Sequence, residues 1–216
     1  MLTAHDLLLL VLDDETGRIT PGVSEPDKAM AGAVLVDLAA RGLVDVTEQG
    51  RLVVLSAEPP TEPVLQRGLA VVEEYQGRKP EAALGRLAKG LRDELANELV
   101  DGGILRREEH KVMGLFRTNR LPANNNSYES EMRSRLSFVL SGERQPDART
   151  GPLIALLHAM DAVTKVLVLS DKKTAKRRAK EIAQGDWAAT AVRKAVQAMQ
   201  AAVITSVVAT SAAASS

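Results

Sequence analysis

The stretch Gly114-Leu115-Phe116-Arg117-Thr118-Asn119-Arg120-Leu121-Pro122, followed by Ala123 and three asparagines, joins apolar side chains to guanidinium groups. That mixture breaks no bonds by itself. An apolar tip flanked by Lys and Arg suits contact, either shallow insertion beside acidic head groups or packing against another chain. Groups that do break bonds are scarce. There is no cysteine, which excludes disulfides, thiolate metal sites and cysteine nucleophiles. His5, His110 and His158 stand far apart in the sequence, and none has metal-ligand spacing. No phosphate-binding glycine loop or nucleophile elbow occurs. Asp13-Asp14-Glu15 is a carboxylate cluster, but it runs into Gly17 and reads as a solvated turn. The expectation is a binding protein rather than an enzyme, without metal or cofactor.

The elements that position these residues read mostly as helix. The chain has 216 residues, 45% of them hydrophobic, with only two Phe, two Tyr and one Trp. A core of Leu, Val, Ile and Ala favours packed helices over a β-sandwich. Thr3 with Asp6 predicts a cap for a short Leu-rich helix, and Ser24 with Asp27 a cap for a second one closed by Gly42. Alternation on both sides of Gln49-Gly50 predicts a β-hairpin. Helices follow over 64–76 and 81–101. The stripe of Leu84, Leu87, Ala88, Leu91, Leu95 and Leu99 makes the latter one amphipathic helix, with Arg92 at the stripe's edge and Lys89 further round. Further helices are expected over 126–141, 150–169, 171–184 and 186–210. The last has no charge after Lys194, but Gln197, Gln200, Thr205 and Ser206 interrupt it. It reads as a buried terminal helix before a flexible Ala/Ser tail at 211–216, not as a membrane span. The expected class is mainly α, one helical domain over 1–210. No basic leader or cleavage site opens the chain, and a cytoplasmic location is expected.

The net charge is zero but unevenly spread. Residues 1–60 hold four Lys/Arg against ten Asp/Glu, and residues 165–194 hold nine against three. One face could meet an anionic partner, or two solvated faces of opposite sign could result. Helix, helix and two-stranded wing over 1–55 resemble a winged-helix DNA-binding module. The charges oppose that role, since 25–41 carries Lys28 and Arg41 against Glu25, Asp27 and Asp37. Nucleic acid is therefore the weaker alternative.

Taken in order, "DLLLLVLDDETG", "AGAVLVDLAARGLV", "LRDELANELVDGGIL", "LFRTNRLPANNN", "DARTGPLIALLHAMDAV" and the "WAA…AV" start of the last helix resemble the Golgi phosphoprotein 3 family. The compact Ala- and Arg-rich chain is similar to a bacterial-type member. The resemblance implies a helical domain on the cytoplasmic face of a membrane. Its eukaryotic members recognise phosphatidylinositol 4-phosphate and bind the cytoplasmic tails of glycosyltransferases, so a tail-binding scaffold without lipid binding is another alternative. The family's two basic lipid-site residues fall on Lys89 and Arg92. A third, an Arg, aligns with Ala31, one turn from Lys28, which could replace its charge. The family's tryptophan aligns near Gly22. Loss of an Arg fork and an aromatic weakens selectivity, because Lys is closer to a point charge. The resemblance also implies a projecting β-hairpin near 110–122. There Val112, Met113, Leu115, Phe116, Arg117, Arg120 and Leu121 would mediate homo-oligomerisation or membrane contact.

Overall fold

A computed structural model of the chain describes residues 1–13, 16–56, 58–112, 116–121, 127–185 and 197, with 108–112 and 116–120 described by their backbone alone. It is mainly α-helical, with two separate antiparallel hairpins among the described residues.

Helix α1 (Thr3–Val11) is buried from Ala4 through Val11. A helix that is apolar nearly all round belongs inside a helical stack rather than on its rim. The cap expected from Thr3 and Asp6 does not form. Leu2 is the N-cap residue, and the orphan N–H groups of Thr3 and Ala4 donate to Oδ1 and Oδ2 of Asp37, at 3.1 and 3.3 Å. Asp6 lies inside instead, 1% exposed. It accepts from the Tyr128 hydroxyl at 2.5 Å and from Arg149 Nε and Nη2 at 3.1 and 2.9 Å. Burial first, and then Asp6, pushes the Tyr128 phenol well above its ordinary range.

Helix α2 (Pro26–Ala40) packs on α1 and is buried from Ala29 through Ala39. Its N-cap is Glu25 in the left-handed region, φ 48°, not Ser24. The Ser24 N–H is drawn to Met160 O at 3.0 Å. At the other end Gly42 N–H donates to Ala39 O and Leu43 N–H to Leu38 O. That paired closure needs the positive φ (+70°) that Gly42 supplies, as expected. Burial of eleven consecutive residues leaves α2 no exposed face to enter a DNA groove, so the helix–helix–wing outline is a structural unit here.

The predicted hairpin is present, with β1 (Val44–Val46) and β2 (Leu52–Val54) paired Val44 to Val54 and Val46 to Leu52. Val44, Val46 and Leu52 face the core and Asp45 does not. Helix α3 (Pro63–Glu74) follows.

The single helix expected over 81–101 is two, α4 (Pro80–Ala88) and α5 (Leu91–Asp101). Lys89 leaves helical geometry with ψ 110°, and Gly90 sits at φ 75°. All five leucines of the predicted stripe are buried nonetheless, and Ala88, the last residue of α4, is partly buried. Apolar spacing is blind to this corner because both halves keep the same inward phase. Arg67 on α3 secures it. Its Nη2 donates to the carbonyl of Leu87 at 3.2 Å, and its Nε lies 2.8 Å from Glu94 Oε2.

Strands β3 (Glu108–Val112) and β4 (Phe116–Arg120) pair from Val112 opposite Phe116 to Glu108 opposite Arg120. Helices α6 (Ser127–Ser141) and α7 (Thr150–Ala159) come next. The helix expected over 150–169 is interrupted at Asp161, φ 50°, before the short α8 (Val163–Val166). Asp161 N–H donates to His158 O and Ala162 N–H to Leu157 O, the same closure that ends α2 but built on a non-glycine. Helix α9 (Lys172–Gln184) begins on Asp171, whose carboxylate accepts from the N–H groups of Lys173 and Thr174. The helix read over 186–210 and the tail at 211–216 lie outside the described residues, apart from Gln197, which is helical and exposed. One buried cluster from Leu2 to Ala183 draws on all these helices.

Candidate anionic head-group site

The bend after α4 brings the start of α5 to the start of α2. Arg92, in the first turn of α5, donates from Nε and Nη2 to Oδ1 of Asp27, at 2.9 and 2.6 Å. On the residue after Asp27, Lys28 Nζ lies 3.0 Å from Glu25 Oε2. The structure therefore brings Arg92 and Lys28 to one place, each with its own carboxylate. Lys89 sits on the corner itself, exposed, with no ionic or hydrogen-bonded partner among the described residues. It is not one helical turn before Arg92 on a continuous helix, as the sequence predicts, but at the end of a different one.

With Arg92 on Asp27 and Lys28 on Glu25, this arrangement is close to neutral. The Arg92–Asp27 pair is about half exposed, 41% and 48% by side chain. Such pairs contribute only about 0–1 kcal/mol. Both guanidinium nitrogens also fall on one carboxylate oxygen, so the two-oxygen match of which an Arg fork is capable goes unused. A phosphate offers two or three acceptor oxygens and can displace Asp27 at low cost.

The two positions where the sequence departs from the family pattern are occupied differently. Ala31 is fully buried among the core residues, so a cation there would have no route to solvent without displacing α2's neighbours. Gly22 has φ +81°, and its carbonyl accepts from Lys165 Nζ at 2.6 Å. The aliphatic end of Lys165 lies 3.5 Å from where a Cβ on Gly22 would stand. A lysine stem thus covers the outer side of Gly22.

In the second hairpin, the backbones of Val112, Phe116, Arg117 and Arg120 lie in the strands, and Met113 and Leu115 lie outside the described residues. Leu121 is half-buried and packs against the core. It anchors the end of the hairpin rather than adding to its outer surface.

A family model described as Golgi phosphoprotein 3 matches residues 3–199. The chain belongs to the Golgi phosphoprotein 3 family. No curated protein matches it. The family match spans Lys28, Lys89, Arg92 and the second hairpin alike. Among the described residues, no helix is long and apolar enough to cross a membrane.

Sequence reading missed the counter-charges of this candidate site, Asp27 and Glu25, and the corner brace Arg67. No local spacing marks them. Asp27 meets Arg92 across 65 residues of chain, and Arg67 meets Leu87 across 20. The odd conformation of Glu25 gives no signal in composition.

Proposed function

We propose that this member of the Golgi phosphoprotein 3 family is a peripheral membrane protein that binds acidic lipid by its head group. Lys89, Arg92 and Lys28 supply the contacts, on the cytoplasmic face of a membrane. The ligand is a phosphorylated head group of the phosphatidylinositol 4-phosphate type. The observation that carries this reading is the exposed, single-oxygen pairing of Arg92 with Asp27, beside a Lys89 that has no partner among the described residues. A structural ion pair would bury its partners or use both carboxylate oxygens; this one does neither. The protein acts by binding rather than by catalysis.

Vesicle co-sedimentation tests it. The wild type is expected to pellet with phosphatidylcholine vesicles containing phosphatidylinositol 4-phosphate, and not with phosphatidylcholine alone. Lys89→Ala with Arg92→Ala removes two cations from the anionic surface, a loss of about 2 kcal/mol or roughly thirtyfold in affinity. Equal binding by the double variant removes the site. For the hairpin, deleting 112–121 is expected to lower the assembly mass seen by light scattering. An unchanged mass ends its role in self-association.

A further inference from the structure

We infer that the outer face of α9 is a second contact with an acidic membrane surface, one that reads charge density rather than a particular head group. It rests on the membrane reading above but not on the Lys89–Arg92 site. Helix α9 holds Lys172, Lys173, Lys176, Arg177, Arg178 and Lys180 against one acid, Glu181. Its buried residues are Ala175, Ala179, Ile182 and Ala183. At about 100° per residue, Lys173, Lys176, Arg177 and Lys180 recur at i, i+3, i+4 and i+7 and form one stripe that starts at the edge of that buried face, at Lys176, and runs round to the solvent side. All four are exposed. Arg178 alone turns inward, donating to Val139 O.

The stripe is weakly compensated. Arg177 pairs with Glu181 at 2.8 Å, and Lys176 lies 3.4 Å from Asp161, both pairs more than half exposed. Lys172 and Lys180 form no ion pair among the described residues, and Lys173 is near enough to Asp171 for their charges to interact. The excess charge is felt inside the fold. His158 on α7 is held below the usual histidine range, first by burial and then by Lys180 and Lys176, against the opposing pull of Asp161.

Two further features point to a bilayer. Val168, 96% exposed, and Phe138, 49% exposed, line a groove that reaches Asp171 and Thr174 at the start of α9. Apolar side chains beside a cationic helix suit shallow insertion among head groups; a phosphodiester backbone has no use for them. The stripe also shares an edge with the head-group site. Asp161 lies between Lys176 and Lys165, Lys165 holds Gly22 O, and Ser24 N–H holds Met160 O in the loop that leads into α2. One membrane can therefore meet the start of α2 and α9 on either side of this loop.

The test uses the full chain and phosphatidylcholine vesicles with and without phosphatidylserine, an acidic lipid with no phosphoinositide head group. Lys173→Gln, Lys176→Gln, Arg177→Gln and Lys180→Gln are combined, and a retained cooperative melt shows that the variant folds. The wild type is expected to bind the acidic vesicles, and the combined variant to bind them about tenfold or more weakly, since each cation near such a surface counts. Lys89→Ala with Arg92→Ala is expected to keep most of this binding while losing the phosphatidylinositol 4-phosphate preference. Unchanged binding by the combined variant overturns the inference and leaves the head-group site standing. Loss by the combined variant on phosphatidylserine vesicles, together with no effect of the pair on vesicles carrying phosphatidylinositol 4-phosphate, upholds the stripe and removes the head-group site. A wild type that retards duplex DNA yet ignores acidic vesicles overturns the inference in favour of nucleic acid. A second folded variant, Phe138→Ser with Val168→Ser, is expected to weaken vesicle binding at high salt, where charge is screened and insertion remains; equal binding there overturns the part assigned to the groove.

Discussion

Arg92 rests both Nε and Nη2 on the single oxygen Oδ1 of Asp27, so the site's own carboxylate competes with any phosphate for the same two donors. Asp27→Ala is therefore expected to strengthen binding to vesicles carrying phosphatidylinositol 4-phosphate, by about threefold, the worth of an exposed ion pair. Folding stability should fall by only about 0.5 kcal/mol, for the lost acid in the first turn of α2. Titration of both proteins with the same vesicles reads the outcome. Unchanged affinity would mean that Arg92 does not touch the lipid.

Asp37 presents a different case, a carboxylate on α2 that caps another helix. Its oxygens accept the Thr3 and Ala4 N–H groups at the start of α1. Burial raises its pKa above the ordinary 3.8, opposed by hydrogen bonding from Thr3 and Ala4 and by the charge of Arg41. The folded state thus holds this proton more tightly than the unfolded chain does. Its contribution is complete below the ordinary value and is lost as pH rises through the folded one. Asp37→Asn keeps an acceptor and removes the titration. Wild type is expected to lose stability relative to Asp37→Asn as pH rises above the ordinary carboxylate range. Asp37→Ala should cost about 1–2 kcal/mol, as a lost cap does. Parallel melting curves across that rise for wild type and Asp37→Asn would contradict the first expectation.

Arg41 and Glu62 join the end of α2 to the start of α3 through two nitrogens and two oxygens, Nη1 to Oε2 at 2.6 Å. The hydrogen bonds from Arg41 lower the Glu62 pKa from 4.5 to about 2. A lowered folded pKa means stability that is present above the ordinary value and lost as pH falls from there toward 2. Both side chains are more than a third exposed, so solvent screening holds the contribution to about 1 kcal/mol or less. Glu62→Gln is expected to melt slightly below wild type at neutral pH, with the gap closing in acid and shrinking in high salt. A gap that persists in acid would assign the difference to packing instead.

The helical class, the hairpin at Gln49-Gly50 and the leucine stripe of α4 and α5 were legible because they rest on local periodicity and turn chemistry. The corner at Lys89-Gly90 was not. A glycine inside an apolar repeat costs little information, and the brace that makes the corner, Arg67 on Leu87 O and Glu94, is tertiary. The same holds for the break at Asp161, where a residue other than glycine takes positive φ. The caps failed for a related reason. Asp6 has the right type and spacing, but Tyr128 and Arg149 claim its carboxylate from elsewhere in the fold, while Ser24, its N–H on Met160 O, stands one residue before the Glu25 that takes the cap position. For the site, family likeness singled out Lys89 and Arg92, while the acids that neutralise their surroundings emerge only in three dimensions. The stripe on α9 was half visible. Its charge excess is in the composition, but only the burial of Ala175, Ala179, Ile182 and Ala183 shows which cations share a face.

Gly68 on α3 tests how tightly that fold is packed. Helix propensity alone favours alanine there by about 1 kcal/mol. A Cβ at this position, however, would stand 2.6 Å from Val34 Cγ1 and 3.3 Å from Leu38 Cδ1, both on the buried face of α2. Val34 is 1% exposed and β-branched, so its χ1 has little freedom to yield. Overpacking of this kind costs about 1–3 kcal/mol, which exceeds the propensity gain. Gly68→Ala is expected to destabilise the protein by about 1 kcal/mol in urea unfolding, with an unchanged m-value. Val34→Ala in the same chain opens space for the new methyl, so the double variant should be less destabilised than the two single changes summed. Strict additivity would show that α2 and α3 separate to admit the methyl, rather than meeting with the rigidity that the Gly68–Val34 contact implies.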